Sequence, residues 1–585
     1  MSNLLATLAV IRRLAAPYFR SEEKWIGRGL LAAVIILLLA DVGIDVLINQ
    51  WRQRFYDALQ NYHWDAFTRE LIVFAVLAGS SIVFQVYQIY LMQWLEIRWR
   101  RWMTERYLGG WLTAANHYRM QLLGDPADNP DQRVADDLRL FIENGLPLAL
   151  QLLRSAVSFV SFVAILWILS EALPLTAFGV PWPIPGYLVW AAILYAGTAT
   201  LITHWIGRPL VDLNFNRQRL EADLRFNLVR VRENSQQIAL LRGEETERGR
   251  LLDRFGRIID NWHAIMVRTR KVLFFTTGAG QAAVIFPFLV TSPAYFAVRT
   301  PLGVLIQTAD AFGNVRNALS FFVDSYRDVA EWRAITARLS GFEAAIAAGE
   351  AAATTPPVIR VAPGAQAAPL RAEALDVRLP DRAPLIAADA LSIAPSDRVL
   401  VTGPTGSGKS TLFRALDGIW PFGSGTVTIP REARMRMMPQ RPYFPTGSLA
   451  DAIAYPAPPG SFEAAAVREL LIAVGLPAFG ARLDEHAHWN RMLSPGEQQR
   501  LALARAILHA PDFLFLDEAT ASLDEPSEAA LYRLIEARLP RAAVVSIGHR
   551  STLFAFHRRH VQVVRTGERS MVQESGIRYQ EALDP

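Results

Sequence analysis

The sequence predicts a chain in two parts, an α-helical membrane domain of six spanning helices followed by an α/β domain. Three observations predict it. Long apolar stretches recur between residues 26 and 326, basic residues gather on every second connection between them, and the C-terminal third alternates apolar strands with helices around a glycine-rich turn. At 585 residues, with 51% hydrophobic residues, the chain exceeds one ordinary domain and is too apolar for a purely soluble one. The net charge is only +5, from 60 Lys and Arg against 55 Asp and Glu, so the basic residues form no concentrated tail and nucleic-acid binding is excluded as a reading. With no cysteine, disulfides, thiol nucleophiles and Cys-ligated metals are excluded too.

Stretches long enough to cross about 30 Å of hydrocarbon lie at 26–48, 71–95, 146–171, 184–206 and 272–298, with a more polar sixth at 302–326. The first 28 residues hold five basic residues (Arg12, Arg13, Arg20, Lys24 and Arg28), 96–145 hold seven and 207–271 hold fourteen. The opposite connections hold only Arg52, Arg54 and Arg69, then none in 172–183, then Arg299. Cytoplasmic loops retain such positive charge, which places both termini and the two long loops in the cytoplasm. No small-residue cleavage pattern follows the first apolar run, so residues 1–28 read as an uncleaved cytoplasmic leader. The long loops carry amphipathic helical patterning, and the spanning helices are expected to continue well below the membrane.

Asn129-Pro130-Asp131-Gln132 offers a cap residue, a proline at the first helical position and a capping-box Gln, which predicts a helix start with that cap. The domains are read as 1–340 for the membrane half, 341–368 for a linker rich in Ala, Pro and Thr, and 369–585 for a parallel α/β half.

In that last part Val399-Leu400-Val401 leads into Gly403-Pro404-Thr405-Gly406-Ser407-Gly408-Lys409-Ser410-Thr411, a strand, a glycine-rich turn and a helix start. This is a P-loop. Its backbone N–H groups and helix N-terminus suit phosphates, Lys409 reaches the β- and γ-phosphates, and Ser410 ligates Mg²⁺. Downstream the apolar strand Phe513-Leu514-Phe515-Leu516 ends in Asp517-Glu518, where Asp517 would hold the Mg²⁺ shell and Glu518 would polarise the attacking water. In Leu493-Ser494-Pro495-Gly496-Glu497-Gln498-Gln499-Arg500, Ser494 can cap a helix that Pro495 begins and Glu497 can close the capping box, aiming N–H groups at an anion.

That segment resembles the signature of ABC-transporter ATPases. The resemblance extends to Gln440 as the Q-loop residue, Ala521-Ser522-Leu523-Asp524 as the D-loop and His549 as the switch histidine after the apolar run Ala543–Ile547. It implies that Ser494, Gly496, Glu497 and Asp524 meet the ATP held by another copy's P-loop, that Gln440 joins Ser410 and Asp517 around Mg²⁺, and that the chain works as a homodimer of exporter-type architecture. The chain departs from the pattern at Pro495 and Glu497, where the family has glycine and glutamine. No aromatic residue stands in 374–384 to stack on adenine.

The sixth stretch carries Gln307, Asp310, Asn314, Asn317 and Asp324 on one helical stripe; Asp41 and Asp45 share a face of the first, and Ser81, Gln85 and Gln88 a face of the second. A charge at membrane depth costs roughly 2.5–3.5 kcal/mol, so these residues should line water or one another. Two readings follow, a hydrated cavity for a polar or cationic solute, and interhelical hydrogen bonding at the dimer seam. Residues 307–342, with Ala330-Glu331-Trp332-Arg333 and Arg338-Leu339, together with Asn129–Arg133 and Arg232-Glu233-Asn234, resemble the SbmA/BacA peptide permeases and the related ABCD half-transporters. The resemblance implies ATP-driven uptake of peptides or other hydrophilic solutes across a bacterial inner membrane, the two loop motifs passing ATPase closure to the membrane helices. The alternatives are a lipid, acyl-CoA or drug exporter with an apolar cavity, and a proton-coupled permease whose ATPase domain only regulates.

Overall fold

The computed structural model describes residues 2–124, 129–172, 184–298, 300–567 and 569–575, in two compact units, 1–108 with 129–341 and 109–128 with 342–585. Helices α1 (Ser2–Ala15), α2 (Lys24–Gln60), α3 (Trp64–Leu112), α4 (Asn116–Leu122) and α5 (Pro130–Gln132) precede α6 (Leu138–Ala172) and α7 (Tyr187–Gly207). There follow α8 (Pro209–Glu233), α9 (Ser235–Leu240), α10 (Glu244–Val298), α11 (Leu302–Asp324) and α12 (Tyr326–Thr354).

Five helical runs, Lys24–Gln60, Trp64–Leu122, Pro130–Glu171, Tyr187–Gly207 and Glu244–Ser292, are long and apolar enough to cross a membrane. The sixth, α11, is less apolar, but its 23 residues rise about 34 Å, enough to span. Helices α3 and α10 run for 49 and 55 residues, far beyond the roughly 20 a bilayer requires.

The first long loop corrects one expectation and explains another. Pro130 begins a helix, but Asn129 adopts a left-handed φ of 58° and makes no side-chain cap bond. Asparagine tolerates that conformation. The next turn widens into a π turn over Arg133–Asp137 before α6, a local distortion that re-aims side chains. Asp137, 1% exposed, there accepts Arg133 Nη1 at 2.8 Å and a two-pronged contact from Arg338, Nε at 2.9 Å and Nη2 at 2.6 Å. One turn on, Trp332 Nε1 donates to the Phe141 carbonyl at 2.8 Å and the two rings stack with centroids 5.6 Å apart. A Cβ at Gly145 would lie 2.6 Å from Trp332 Nε1, so the glycine lets the indole in. The Asn129–Arg133 motif and the Trp332–Leu339 motif, separate in the sequence, thus form one joint.

The stretch 341–368, read as a linker from its composition, contains regular structure. Helix α12 runs to Thr354, since alanine is the strongest helix former, and strand β1 (Arg360–Gly364) pairs in parallel with β5 (Gly423–Pro430). In the second unit, Asn116 Nδ2 donates to the Ile346 carbonyl at 3.1 Å and Arg119 Nε to that of Gly349 at 3.0 Å, fixing α4 to the end of α12. Tyr118 and Leu122 of α4 pack against the hydrophobic core of this unit.

The remaining strands are β2 (Leu370–Arg378), β3 (Pro384–Ile393), β4 (Arg398–Thr402), β6 (Met435–Met438), β7 (Gly447–Ser448), β8 (His486–Ala487), β9 (Phe513–Asp517), β10 (Ala543–Ile547), β11 (Arg559–Thr566) and β12 (Arg569–Ser575). Ten form one sheet in the order β1-β5-β2-β3-β12-β11-β4-β10-β9-β6. The run from β11 to β6 is parallel, but β2 is antiparallel to both β3 and β5, and β11 to β12, so the sheet is mixed. The connections explain this: residues 379–383 and 567–568 are too short for the crossover a parallel pair needs. Helices α13 (Lys409–Leu416), α14 (Leu449–Ala454), α15 (Ala464–Ala473), α16 (Trp489–Met492), α17 (Pro495–Leu508) and α18 (Glu525–Arg538) complete the unit. The core has two parts: Phe413 of α13 meets Phe515 edge-on at 5.1 Å in one, and Leu501 and Leu503 of α17 lie with Leu514 and Leu516 in the other.

Beneath β10 a buried chain runs from Tyr532 OH to Ser546 Oγ (3.1 Å) to His557 Nε2 (2.9 Å), while Nδ1 donates to the Leu553 carbonyl at 2.7 Å. Burial pushes His557 down to about 4. The unfolded chain therefore binds a proton below about 6.5 that the folded one refuses until about 4, and stability falls as pH drops through that window, by about 3 kcal/mol. Thermal unfolding of the full chain from pH 7 to 4 should show this loss, and His557→Asn should remove it; an unchanged slope in the variant would refute the assignment.

Candidate nucleotide site and membrane pocket

Strands β4, β10 and β9 lie side by side, with Val401 opposite Ile547 and Ile547 opposite Asp517, so the loops after all three open at the same edge of the sheet. That edge, at the carboxyl ends of parallel strands, is where α/β domains bind ligands. The loop Gly403-Pro404-Thr405-Gly406-Ser407-Gly408 follows β4, and α13 begins at Lys409. Gly408 has a φ of +90°, and a Cβ there would lie 2.9 Å from Leu385 Cγ, so no other residue fits. Lys409 Nζ donates to the carbonyls of Gly403 (2.8 Å) and Pro404 (2.7 Å). Its burial holds the ammonium below the usual lysine range, against the pull of Glu518 and Asp517. Ser407 Oγ is buried without a partner, a donor that a phosphate oxygen would satisfy. Thr411 follows in the first turn of α13.

Ser410 Oγ donates to Asp517 Oδ1 at 2.9 Å. Burial raises the Asp517 carboxyl above its ordinary value, and the Ser410 bond offsets part of that. Glu518 Oε2 accepts Gln440 Nε2 at 2.8 Å, and His549 Nε2 lies 3.5 Å from Oε1. The Glu518 backbone is left-handed, φ 51°, and its N–H bonds to the Ile547 carbonyl at 3.1 Å. Such strain at a non-glycine residue marks a side chain held in a required direction. The P-loop, Asp517, Glu518, Gln440 and His549 thus converge. A hydroxyl, a carboxylate and an amide oxygen in Ser410, Asp517 and Gln440 are the hard oxygen donors that Mg²⁺ prefers when phosphates complete its shell.

Around the signature, Ser494 and Glu497 form the predicted capping box: Ser494 N and Oγ each donate to Glu497 Oε2 at 2.8 Å, and Glu497 N donates back to Ser494 Oγ at 3.4 Å. Gly496 faces the D-loop, where a Cβ would sit 3.3 Å from Leu523. Asp524 stands at the N-terminus of α18, its carboxyl lowered by the Ser527 hydroxyl. Among the described residues no hydrogen bond joins Ser494, Gly496, Glu497 or Asp524 to the P-loop.

Sequence motifs did not single out the residues that set the D-loop. Arg550, next to His549, donates to the carbonyls of Leu523 (2.7 Å) and Ala521 (3.2 Å), and Gln499 Oε1 accepts Ser522 N at 3.0 Å. Buried Glu528 accepts Thr520 (2.6 Å) and Thr552 (2.9 Å), with Arg550 3.8 Å away. Arg550 is a positioning residue that joins the switch histidine's loop to the D-loop. Replacing it with Ala should lower the rate of nucleotide turnover about tenfold, the equivalent of one charge-assisted hydrogen bond, with KM changed less than about threefold. Steady-state kinetics check this, and equal loss in kcat and gain in KM would count against it.

The polar residues of the membrane helices separate into two groups. Asp41, fully buried, accepts Ser81 (2.7 Å) and Gln85 (3.2 Å) and pairs with Arg154 Nη1 at 2.8 Å, while Asp45 takes Arg154 Nη2 at 3.0 Å. These acids pair with one arginine of α6 and tie helix to helix, the interhelical bonding that was the second reading of the sequence. Gln88, half-buried on α3, has no bond to either group among the described residues. In the second group Asn49 Nδ2 donates to Asp310 Oδ2 (2.7 Å) and to the Gln307 carbonyl (3.1 Å), and Arg52 pairs with Asp310. Buried Gln307 lies behind this cluster. A cavity of about 330 Å³ opens beside it, lined by Arg52, Asp310, Asn314, Arg316 and Asn317 with apolar residues of both α10 and α11. The side chain of Asp324 lies outside the described residues.

The geometry can be set beside known proteins. The ABC transporter transmembrane region 2 matches residues 14–296, and the ABC transporter domain matches 387–521. Over 540 residues, 92% of this chain and 94% of the relative, the chain is 33% identical to the inner membrane ABC transporter ATP-binding protein YddA of Escherichia coli. It is 31% identical over 622 residues to the chloroplastic ABC transporter D family member 2 of Arabidopsis thaliana, covering 94% of this chain and 85% of that one. A bacterial Atm1-family ABC exporter solved with ATP bound superposes with a TM-score of 0.66 at 16% identity, over 92% of this chain and 93% of its own, and shares the fold.

Proposed function

Because the chain belongs to the ABC transporter family, as a half-transporter joining one membrane region to one ATP-hydrolysing domain, we propose that two copies take up a peptide or other hydrophilic solute across a bacterial inner membrane. The observation that carries this reading is the cavity lined by Arg52, Asp310, Asn314, Arg316 and Asn317. A lipid or acyl-CoA exporter calls for apolar walls at that place. The resemblance of residues 307–342 to SbmA/BacA permeases supports the inward direction. A proton-coupled permease needs an intramembrane carboxyl free to exchange its proton, and Asp41, Asp45 and Asp310 are each held by an arginine.

In this reading the ATPase domain faces the cytoplasm, where the excess of basic residues in 96–145 and 207–271 also lies. Each P-loop meets the Ser494 helix of the second copy, whose N-terminus offers N–H groups to the γ-phosphate. Ser410, Asp517 and Gln440 would hold Mg²⁺, which would supply positive charge to the phosphates. Glu518 accepts the proton of the attacking water, and His549 and Gln440 keep its carboxylate in place.

Proteoliposomes loaded with labelled peptide decide the direction, since MgATP added outside reaches only molecules whose ATPase domain faces out. Uptake in the cell corresponds to ATP-dependent loss of peptide from the lumen. Accumulation inside would refute uptake, and movement that followed a pH gradient without ATP would favour the permease.

A further inference from the structure

We propose that the membrane pocket recognises an oxyanion on the transported solute, a carboxylate above all, and that Arg316 is the residue that binds it; this rests on the reading of a hydrophilic solute given above. Arg316 lies fourteen residues into α11, about 21 Å along a helix about 34 Å long, hence within the depth of the hydrocarbon. A guanidinium there is costly unless it faces water or an opposite charge. Three aspartates of the membrane helices obey this rule. Asp41 and Asp45 share Arg154, and Asp310 takes Arg52. Arg316 differs: among the described residues it makes no ion pair, and its one bond is to the amide oxygen of its neighbour Asn317, at 2.9 Å. It borders the cavity together with Arg52, so the lining holds two guanidinium groups against the single carboxylate of Asp310, a net charge of +1.

The remaining polar groups suit the same ligand. Asp310 is already satisfied by Arg52 and Asn49 and is poorly placed to attract a cation. Asn314 and Asn317, on the stripe that bears Asp310, add amide groups to the same lining. Guanidinium offers a planar fork that meets both oxygens of a carboxylate, which an ammonium cannot do. At about 330 Å³ the cavity is near the lower bound for ligand sites, the size of a small solute or one end of a longer one. The inference reverses the cationic preference that the aspartates of the sequence suggest, because those aspartates are already paired.

Three capped peptides of one length test this: acetyl-Ala-Glu-Ala-Glu-Ala-amide and its Gln and Lys counterparts, used with the full-length protein in lipid vesicles. The Glu peptide should bind, and stimulate ATP turnover, at concentrations about tenfold below the Gln peptide. Arg316→Gln should raise that concentration about tenfold, Arg316→Lys should restore part of the preference, and Arg316→Glu should transfer it to the Lys peptide. Equal response to all three peptides, preference for the Lys peptide in the unaltered protein, or a preference that Arg316→Gln leaves unchanged would each overturn the proposal. If Arg316 instead pairs with an acid of a second copy, Arg316→Gln lowers the unfolding temperature of the dimer and leaves the charge preference as it was, which also overturns it. The two readings separate cleanly: inward transport that ignores charge keeps uptake and removes the anion site, whereas Arg316-dependent binding of the Glu peptide with outward movement keeps the site and removes uptake.

Discussion

Replacing Glu518 with Gln lowers steady-state ATP turnover at least about a hundredfold, the contribution typical of a positioned general base, and leaves ATP binding within about threefold. The amide cannot take the proton of the attacking water, yet it keeps the shape and one oxygen for the Gln440 amide at 2.8 Å. The strained φ of 51° at this position is unaffected by the swap, so the variant should fold as the parent does. Nucleotide retained on the variant after rapid desalting, together with loss of phosphate release and of transport, is the expected pattern. Turnover within about fivefold of the parent would remove Glu518 from the role.

Asp137→Ala has the largest expected effect on stability. It leaves Arg338 and Arg133 facing a position where a buried carboxylate had held both, at 2.6–2.9 Å. Removing the buried carboxylate costs about 3 kcal/mol, the low end for a buried pair because Arg338 is partly exposed to water, which lowers the unfolding temperature by roughly 6–10 °C. Arg338→Ala should cost less, since Asp137 keeps Arg133, and the double variant should be less destabilised than the sum of the two, because they share one network. Thermal unfolding in detergent measures all three, and strict additivity would show that the contact carries little. The same joint carries Trp332 on Phe141, so the variant should also weaken the link between ATP turnover and transport.

The chemistry of the ATPase half was legible because it is local. A strand, a tight glycine turn and a helix start occupy one short run from Val399 to Thr411, and Asp517 and Glu518 end an apolar strand. The mixed sheet was not, since the pattern of apolar strands gives their number but the short connections at 379–383 and 567–568 decide their direction. Partners far apart in sequence were also hidden: Arg154 is 109 residues from Asp45, and Arg52 is 258 from Asp310. Read alone, the aspartates suggested a cation site; with their arginines they become helix ties. The ala-rich 341–354 read as a linker through its neighbouring prolines, though its own residues favour helix. Arg550 carried no motif because its work is done on backbone carbonyls, which no side-chain pattern records.

The Ser494 hydroxyl has one hydrogen, and in the isolated chain it points at the Glu497 carboxylate, 2.8 Å away. In the proposed dimer, a γ-phosphate arriving from a second copy would compete with an anion already in possession of that hydrogen, and would meet the carboxylate's own negative charge nearby. In that dimer Glu497 would act as a resting ligand of Ser494 until nucleotide brings enough charge to displace it. A neutral glutamine at 497, the residue the family's signature carries, would lower that threshold and let the two ATPase domains engage at lower ATP, at the expense of more idle turnover between transport cycles.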